Sequence, residues 1–90
     1  MTVRYSHSPH VLERRSFDRW LLLTDALSEP IVLAGTSAQV WQLLRHWSSV
    51  EDVAISLSAT YQLDVSDIIA DITPVIVRLS QLKMLMVHCE

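Results

Sequence analysis

The stretch Pro30-Ile31-Val32-Leu33-Ala34-Gly35-Thr36-Ser37-Ala38-Gln39-Val40-Trp41-Gln42-Leu43-Leu44 changes its period in the middle. Before Gly35, the single glycine of the 90 residues, lies a short apolar run opened by proline. After it, Thr36 or Ser37 offers an N-cap, and Val40, Leu43, Leu44 and Trp47 follow at i, i+3, i+4 and i+7, which predicts a first helix. Gly35 therefore divides a β half from an α half.

On the amino-terminal side, residues 11–16, 20–24 and 31–34 have strand composition. Phe17-Asp18-Arg19 and the loop over residues 25–30 are too short for parallel crossovers, so the three predicted strands form an antiparallel meander. On the carboxy-terminal side, Ser49 followed by Asp52 resembles a capping box, and Val50, Val53, Ala54, Leu57 and Tyr61 mark one face of a second helix ending near Tyr61. Asp64 or Ser66 opens a third helix that runs to about Lys83. There Ile68, Ile69, Ile72, Val75, Ile76, Leu79 and Leu82 span about 140° of the helix, against the roughly 100° a core-facing stripe needs. Asp67, Asp71 and Arg78 hold the remaining narrow face, and either more core or a partner must cover the apolar flanks. Pro74 predicts a bend near Thr73, and residues 84–87 read as a helix extension or a short strand. The predicted fold class is α+β: a three-stranded antiparallel sheet followed by three helices, one domain over residues 10–87, with residues 1–9 a flexible amino-terminal segment.

Composition narrows the function. Half the residues are hydrophobic and 19% are charged, enough for one core. Net charge is −3; residues 1–45 carry five basic and four acidic groups, and residues 46–90 carry two and six. That balance argues against nucleic acid as the main partner. A single cysteine, Cys89, fits a reducing compartment, and no apolar run approaches the roughly 18 residues of a membrane span, so the expectation is a cytoplasmic protein with no membrane partner. His7, His10, His46 and His88 lack a cysteine cluster to complete a metal site, and no nucleophile elbow or phosphate-binding glycine loop is present. Asp67 and Asp71, four apart, more readily solubilise the helix than hold a cation. The three tryptophans, Trp20, Trp41 and Trp47, read as core. No metal, cofactor or catalytic residue is expected.

Proline at position 30 suits the first residue of an edge strand, and no charge interrupts residues 31–34. An unblunted edge beside an over-wide helix makes a groove in which an extended peptide gains ladder hydrogen bonds from the strand and pockets from the helix. Alternatively the third strand is central or covered by the amino-terminal segment, and its apolar residues are ordinary core.

The run from Gly35 to Leu44, then Ser49-Val50-Glu51-Asp52-Val53-Ala54 and Leu57-Ser58-Ala59-Thr60-Tyr61, continuing through Asp71-Ile72, Val75-Ile76 and Leu79, resembles the PqqD-like RiPP recognition element, with Trp20 to Leu23 as its second strand. Length looks most like the stand-alone leader-binding proteins of lasso peptide biosynthesis. The resemblance implies a winged helix-turn-helix-like domain that binds a precursor's leader peptide as a strand added between the third strand and the third helix. It implies a non-enzymatic adaptor that presents the leader to a separate cysteine-protease-like leader peptidase, after which an ATP-dependent lasso cyclase takes the core peptide. Lys83 stands where the family often has glycine, and Pro74 interrupts the third helix. Carried over position by position, the peptide-binding residues would be Ile31, Val32, Leu33 and Ala34 from the strand and Ile68, Asp71, Ile72, Val75 and Arg78 from the helix. Lasso leaders often offer a tyrosine and a proline, so a pocket for an aromatic ring is expected. The rival reading is a winged-helix DNA-binding regulator, disfavoured because the third helix presents Asp67 and Asp71 where a recognition helix needs Lys, Arg, Asn or Gln.

Overall fold

A computed structural model of the chain describes residues 2–25 and 27–89. Met1, in the expected flexible segment, Ala26, in the expected loop over residues 25–30, and Glu90, in the tail, lie outside the described residues. The elements in order are β1 (Val3–His7), β2 (Leu12–Ser16), β3 (Arg19–Leu23), β4 (Ile31–Leu33), α1 (Thr36–Leu43), α2 (Val50–Tyr61), α3 (Val65–Gln81) and β5 (Leu85–Cys89). The α+β class and the antiparallel β2-β3-β4 sheet followed by three helices match the sequence reading.

The β2–β3 hairpin pairs Leu12 with Leu23 and Ser16 with Arg19, leaving a two-residue turn. Phe17 sits there at φ 58°, the left-handed conformation that the first central residue of a primed hairpin turn requires. Alternation along β3 sends Leu22 fully inward, and Leu33 of β4 joins it beneath the helices. The core continues through Trp41, Leu44, Val53, Ala54, Ile72, Ile76, Leu79 and Met84.

Gly35, rather than Thr36 or Ser37, is the N-cap of α1: its φ of 60° and ψ of −131° lie where side chains are strongly disfavoured, and the bare backbone makes the strand-to-helix corner. Helix α1 ends at Leu43, so Trp47 does not extend its buried face and is instead 47% exposed. The chain leaves the helix because Ser48 pairs with Tyr5 of β1 through two backbone hydrogen bonds of 2.8 and 3.0 Å. The Ser49–Asp52 capping box of α2 forms in both directions, at 3.1 and 3.3 Å. Asp64 caps α3, which is assigned as one helix with Pro74 inside it; beside the proline the Thr73 hydroxyl donates to the Ile69 carbonyl at 2.6 Å.

Lys83 closes α3 at φ 64°. Its amide donates to the Ser80 carbonyl and that of Met84 to the Leu79 carbonyl, the paired bonds of a Schellman motif that here uses lysine in the usual glycine position. Fully buried Met84 anchors the turn, and the tail becomes strand β5. Its partner is β1, register Val3 to Cys89 and His7 to Leu85, in a sheet separate from β2-β3-β4. Residues 3–7 are therefore a paired strand where the sequence reading expected a flexible segment; the physical reason is a complementary strand at the far end of the chain, invisible to local pattern.

A polar cluster ties the two sheets together. The His7 ring stacks flat on Trp41 at 3.6 Å, its Nε2 donates to the Trp41 carbonyl at 2.6 Å, and its Nδ1 faces Glu13 at 3.4 Å. Glu13 also accepts from the Trp41 indole at 3.1 Å and from Arg45 at 2.8 Å. Burial holds the His7 imidazole below the usual histidine range, outweighing the carbonyl bond and the Glu13 charge that favour its protonated form; the Arg45 charge acts with burial.

Two outcomes follow from this geometry. Adding a methyl in Gly35→Ala meets no atom within 4 Å, so its cost is purely conformational; urea denaturation should show a loss of about 1–3 kcal/mol. Since the unfolded chain protonates His7 more readily than the folded one, stability is complete above the ordinary histidine pKa of about 6.5 and declines as pH falls through it. Denaturation midpoints at pH 7.5 and 5.5 should differ in that sense, and by less in His7→Asn.

Candidate functional site

Strand β4 pairs with β3 along one side only, through Trp20–Leu33, Leu21–Val32 and Leu22–Ile31. Among the described residues no strand pairs with its other side. The amino-terminal segment, one of the two ways the edge was expected to be covered, is committed to β5. The outer edge of β4 carries no charged side chain.

Directly after β4 the chain opens onto a cleft of about 240 Å3. One wall is the strand-to-helix corner at Gly35 and Thr36 together with Gln39 of α1; the opposite wall is Ile68, Asp71 and Ile72 of α3. The end of α2 closes the cleft with Leu57, Tyr61 and the following Leu63. Gln39 donates a hydrogen bond to the Tyr61 hydroxyl, joining α1 to α2 across the cleft. Tyr61 and Leu63 are 46% and 58% exposed, an apolar rim at its mouth. Thus the corner that the lone glycine permits is also where backbone lies bare beside the cleft.

The residues expected to bind peptide separate into three sets. Ile68, Asp71 and Ile72 line the cleft, Ile68 and Ile72 as a buried floor and Asp71 as an exposed carboxylate. Ile31, Val32 and Leu33 are on β4; Leu33 is buried in the core, Val32 is half-exposed on the sheet's outer face and Ile31 is partly buried. Ala34 lies just past the strand and is exposed. Val75 and Arg78 do not line the cleft; at 100° per residue they continue the flank of α3 that carries Asp71, Val75 partly buried and Arg78 exposed. The partly buried Val75, packed at the edge of the core, is the surplus apolar width read from the helix, whereas Ile76 and Leu79 are spent on core.

Sequence reasoning missed Gly35, Thr36, Gln39, Leu57, Tyr61 and Leu63 as parts of a site. Gly35 was legible as a corner, and Tyr61 as the end of an apolar face; only the packing of α2 on α3 brings them opposite Asp71. The lining offers one carboxylate, one phenol, one amide and one hydroxyl among apolar groups, which suits holding a side chain more than breaking a bond.

The neighbours Asp71 and Ile72 separate cleft from core. Ile72→Ala should cost about 2–5 kcal/mol in urea denaturation, because that side chain is fully buried. Asp71→Ala should stay within about 0.5 kcal/mol of wild type.

Residues 19–85 match the family described as coenzyme PQQ synthesis protein D (PqqD). No curated protein matches the chain. Among solved structures, the chain is similar to TbiB1 in complex with the TbiA(beta) leader peptide, at 19% identity and a TM-score of 0.81, covering 94% of this chain and 99% of that one. It is also similar to the PqqD truncation of Methylobacterium extorquens PqqCD, a functional and stand-alone RiPP recognition element, at 25% identity and a TM-score of 0.74, covering 92% and 88%. With the family match spanning residues 19–85, most of its length, the chain belongs to the PqqD family.

Proposed function

We propose that this chain is a non-enzymatic adaptor that binds the leader of a ribosomally made, lasso-type precursor as a strand added to β4, with leader side chains reaching into the cleft beside α3. The observation that carries the reading is the unpaired, uncharged outer edge of β4 ending at the cleft. A peptide laid there satisfies backbone donors and acceptors that otherwise face water, and sequence preference comes from what the cleft admits. Its apolar floor of Ile68 and Ile72 and the Tyr61 rim suit an aromatic or proline side chain; Asp71, Val75 and Arg78 sit along the flank where the peptide would continue. Membership of the PqqD family supports this, as does the fold shared with a protein solved with a leader peptide. The adaptor hands the bound precursor to a separate leader peptidase, the core peptide passes to a lasso cyclase, and the chain works in the cytoplasm without metal or cofactor.

The test is titration of labelled leader peptides encoded beside the chain, read by fluorescence anisotropy. Wild type should saturate. Arg78→Glu and Asp71→Lys, both at exposed positions, should each weaken binding by about 1–3 kcal/mol while circular dichroism is unchanged. Leu33 is unsuitable for this purpose, being only 7% exposed and part of the core. Absence of saturable binding to every neighbouring leader would remove the reading.

A further inference from the structure

The outer face of the β2-β3-β4 sheet, turned away from the helices, is a second surface that meets the leader site only at Val32. Leu22 points fully inward, so the alternating neighbours Leu21 and Leu23 point outward, and the register sets Leu12 and Arg14 of β2 beside them and Val32 of β4 beyond. Leu12 is 69% exposed and Val32 52%. This face forms a shallow depression of about 550 Å3. Arg14 and Arg15 line it and Arg19 lies on the same face by alternation with Leu21; Glu13 borders it too, but its carboxylate is engaged by Arg45 and Trp41. At the hairpin tip Phe17 is 94% exposed in a left-handed conformation costly for a bulky residue, and the Arg15 Nε donates to its carbonyl at 3.0 Å. A fully exposed phenylalanine held in a strained turn needs a reason beyond the fold, since glycine would make the same turn more cheaply.

We propose that this face docks a protein surface made of an apolar strip flanked by carboxylates, carried by the enzyme that processes the bound precursor, with Phe17 as anchor. Three observations select that occupant. The patch is cationic on a chain of net charge −3, so it attracts acidic groups. Its cations are arginines, the basic residue enriched with aromatics in protein interfaces, and they alternate with leucine and valine from which a nucleic acid backbone would gain nothing. Finally the face ends at β4, so a strand added to that edge would extend it beside Val32, and a protein docked on the face would meet chain and leader together. That last step rests on the proposed leader site; the patch itself does not.

The test uses the full chain and, as probe, the leader peptidase encoded beside it, with docking read by biolayer interferometry both with and without leader. Leu12→Glu, Arg14→Glu and Phe17→Ser all alter exposed side chains, so the variants fold, as circular dichroism verifies. Each should weaken docking at least tenfold while leader affinity stays within twofold of wild type. Docking unchanged in all three, or no docking by wild type, overturns the proposal. So does finding that the variants instead abolish self-association, DNA binding or binding to phosphatidylglycerol vesicles. If wild type binds no leader but docking without leader shows the expected losses, the leader reading fails and the docking surface stands.

Discussion

The pairing of β1 with β5 is the contact on which the open edge depends. Five residues at the start of the chain and five near its end form an antiparallel ribbon, and Tyr5 is further held by the Ser48 bridge. A strand can satisfy its ladder once on each side, and β1 is paired along its length by β5 and held at Tyr5 on the other side by the bridge. It is therefore unavailable to β4, the other place where an extended segment would gain hydrogen bonds. The chain's own ends pair with each other, and the outer side of β4 has no strand partner among the described residues. The His7–Trp41–Glu13–Arg45 cluster reinforces the arrangement by fastening β1 to β2 and α1, so the two sheets hold fixed positions around one core.

That ribbon in turn relies on the end of α3. The left-handed Lys83 and the bonds to Ser80 and Leu79 stop the helix within one residue and turn the chain back as β5, with Met84 buried as the pin. A lysine can take this conformation because the Schellman bonds and the burial of Met84 offset a local strain of about 1–2 kcal/mol. Gly35 does the corresponding work at the other junction, with no strain, and leaves exposed backbone at the mouth of the cleft. Both strand–helix corners are thus set by residues with positive φ rather than by side-chain chemistry.

The three-helix pattern was legible because helical periodicity is local: the capping box at Ser49 and Asp52, and the apolar arc of α3, are written within a few turns of chain. The meander was legible for the same reason, from turn lengths and β-type runs. The reading failed at Trp47, where helical spacing continues in the sequence but the backbone is drawn off to pair with Tyr5. It failed again at residues 3–7, whose strand depends on a partner at the opposite end of the chain. Most of the cleft was missed likewise, since Gln39 and Tyr61 become neighbours of Asp71 only when α1, α2 and α3 pack.

What the amino-acid order determined by itself is the succession of elements, the uncharged character of residues 31–34 and the surplus apolar width of α3, all properties of neighbours along the chain. What only the tertiary structure decided is which of those features remain free. Leu33, Ile68 and Ile72 go largely to the core, while Val75, Asp71 and the outer edge of β4 stay accessible. The physical reason is that exposure is a competition among distant segments for the same hydrogen bonds and the same apolar surface, and its outcome is settled by packing.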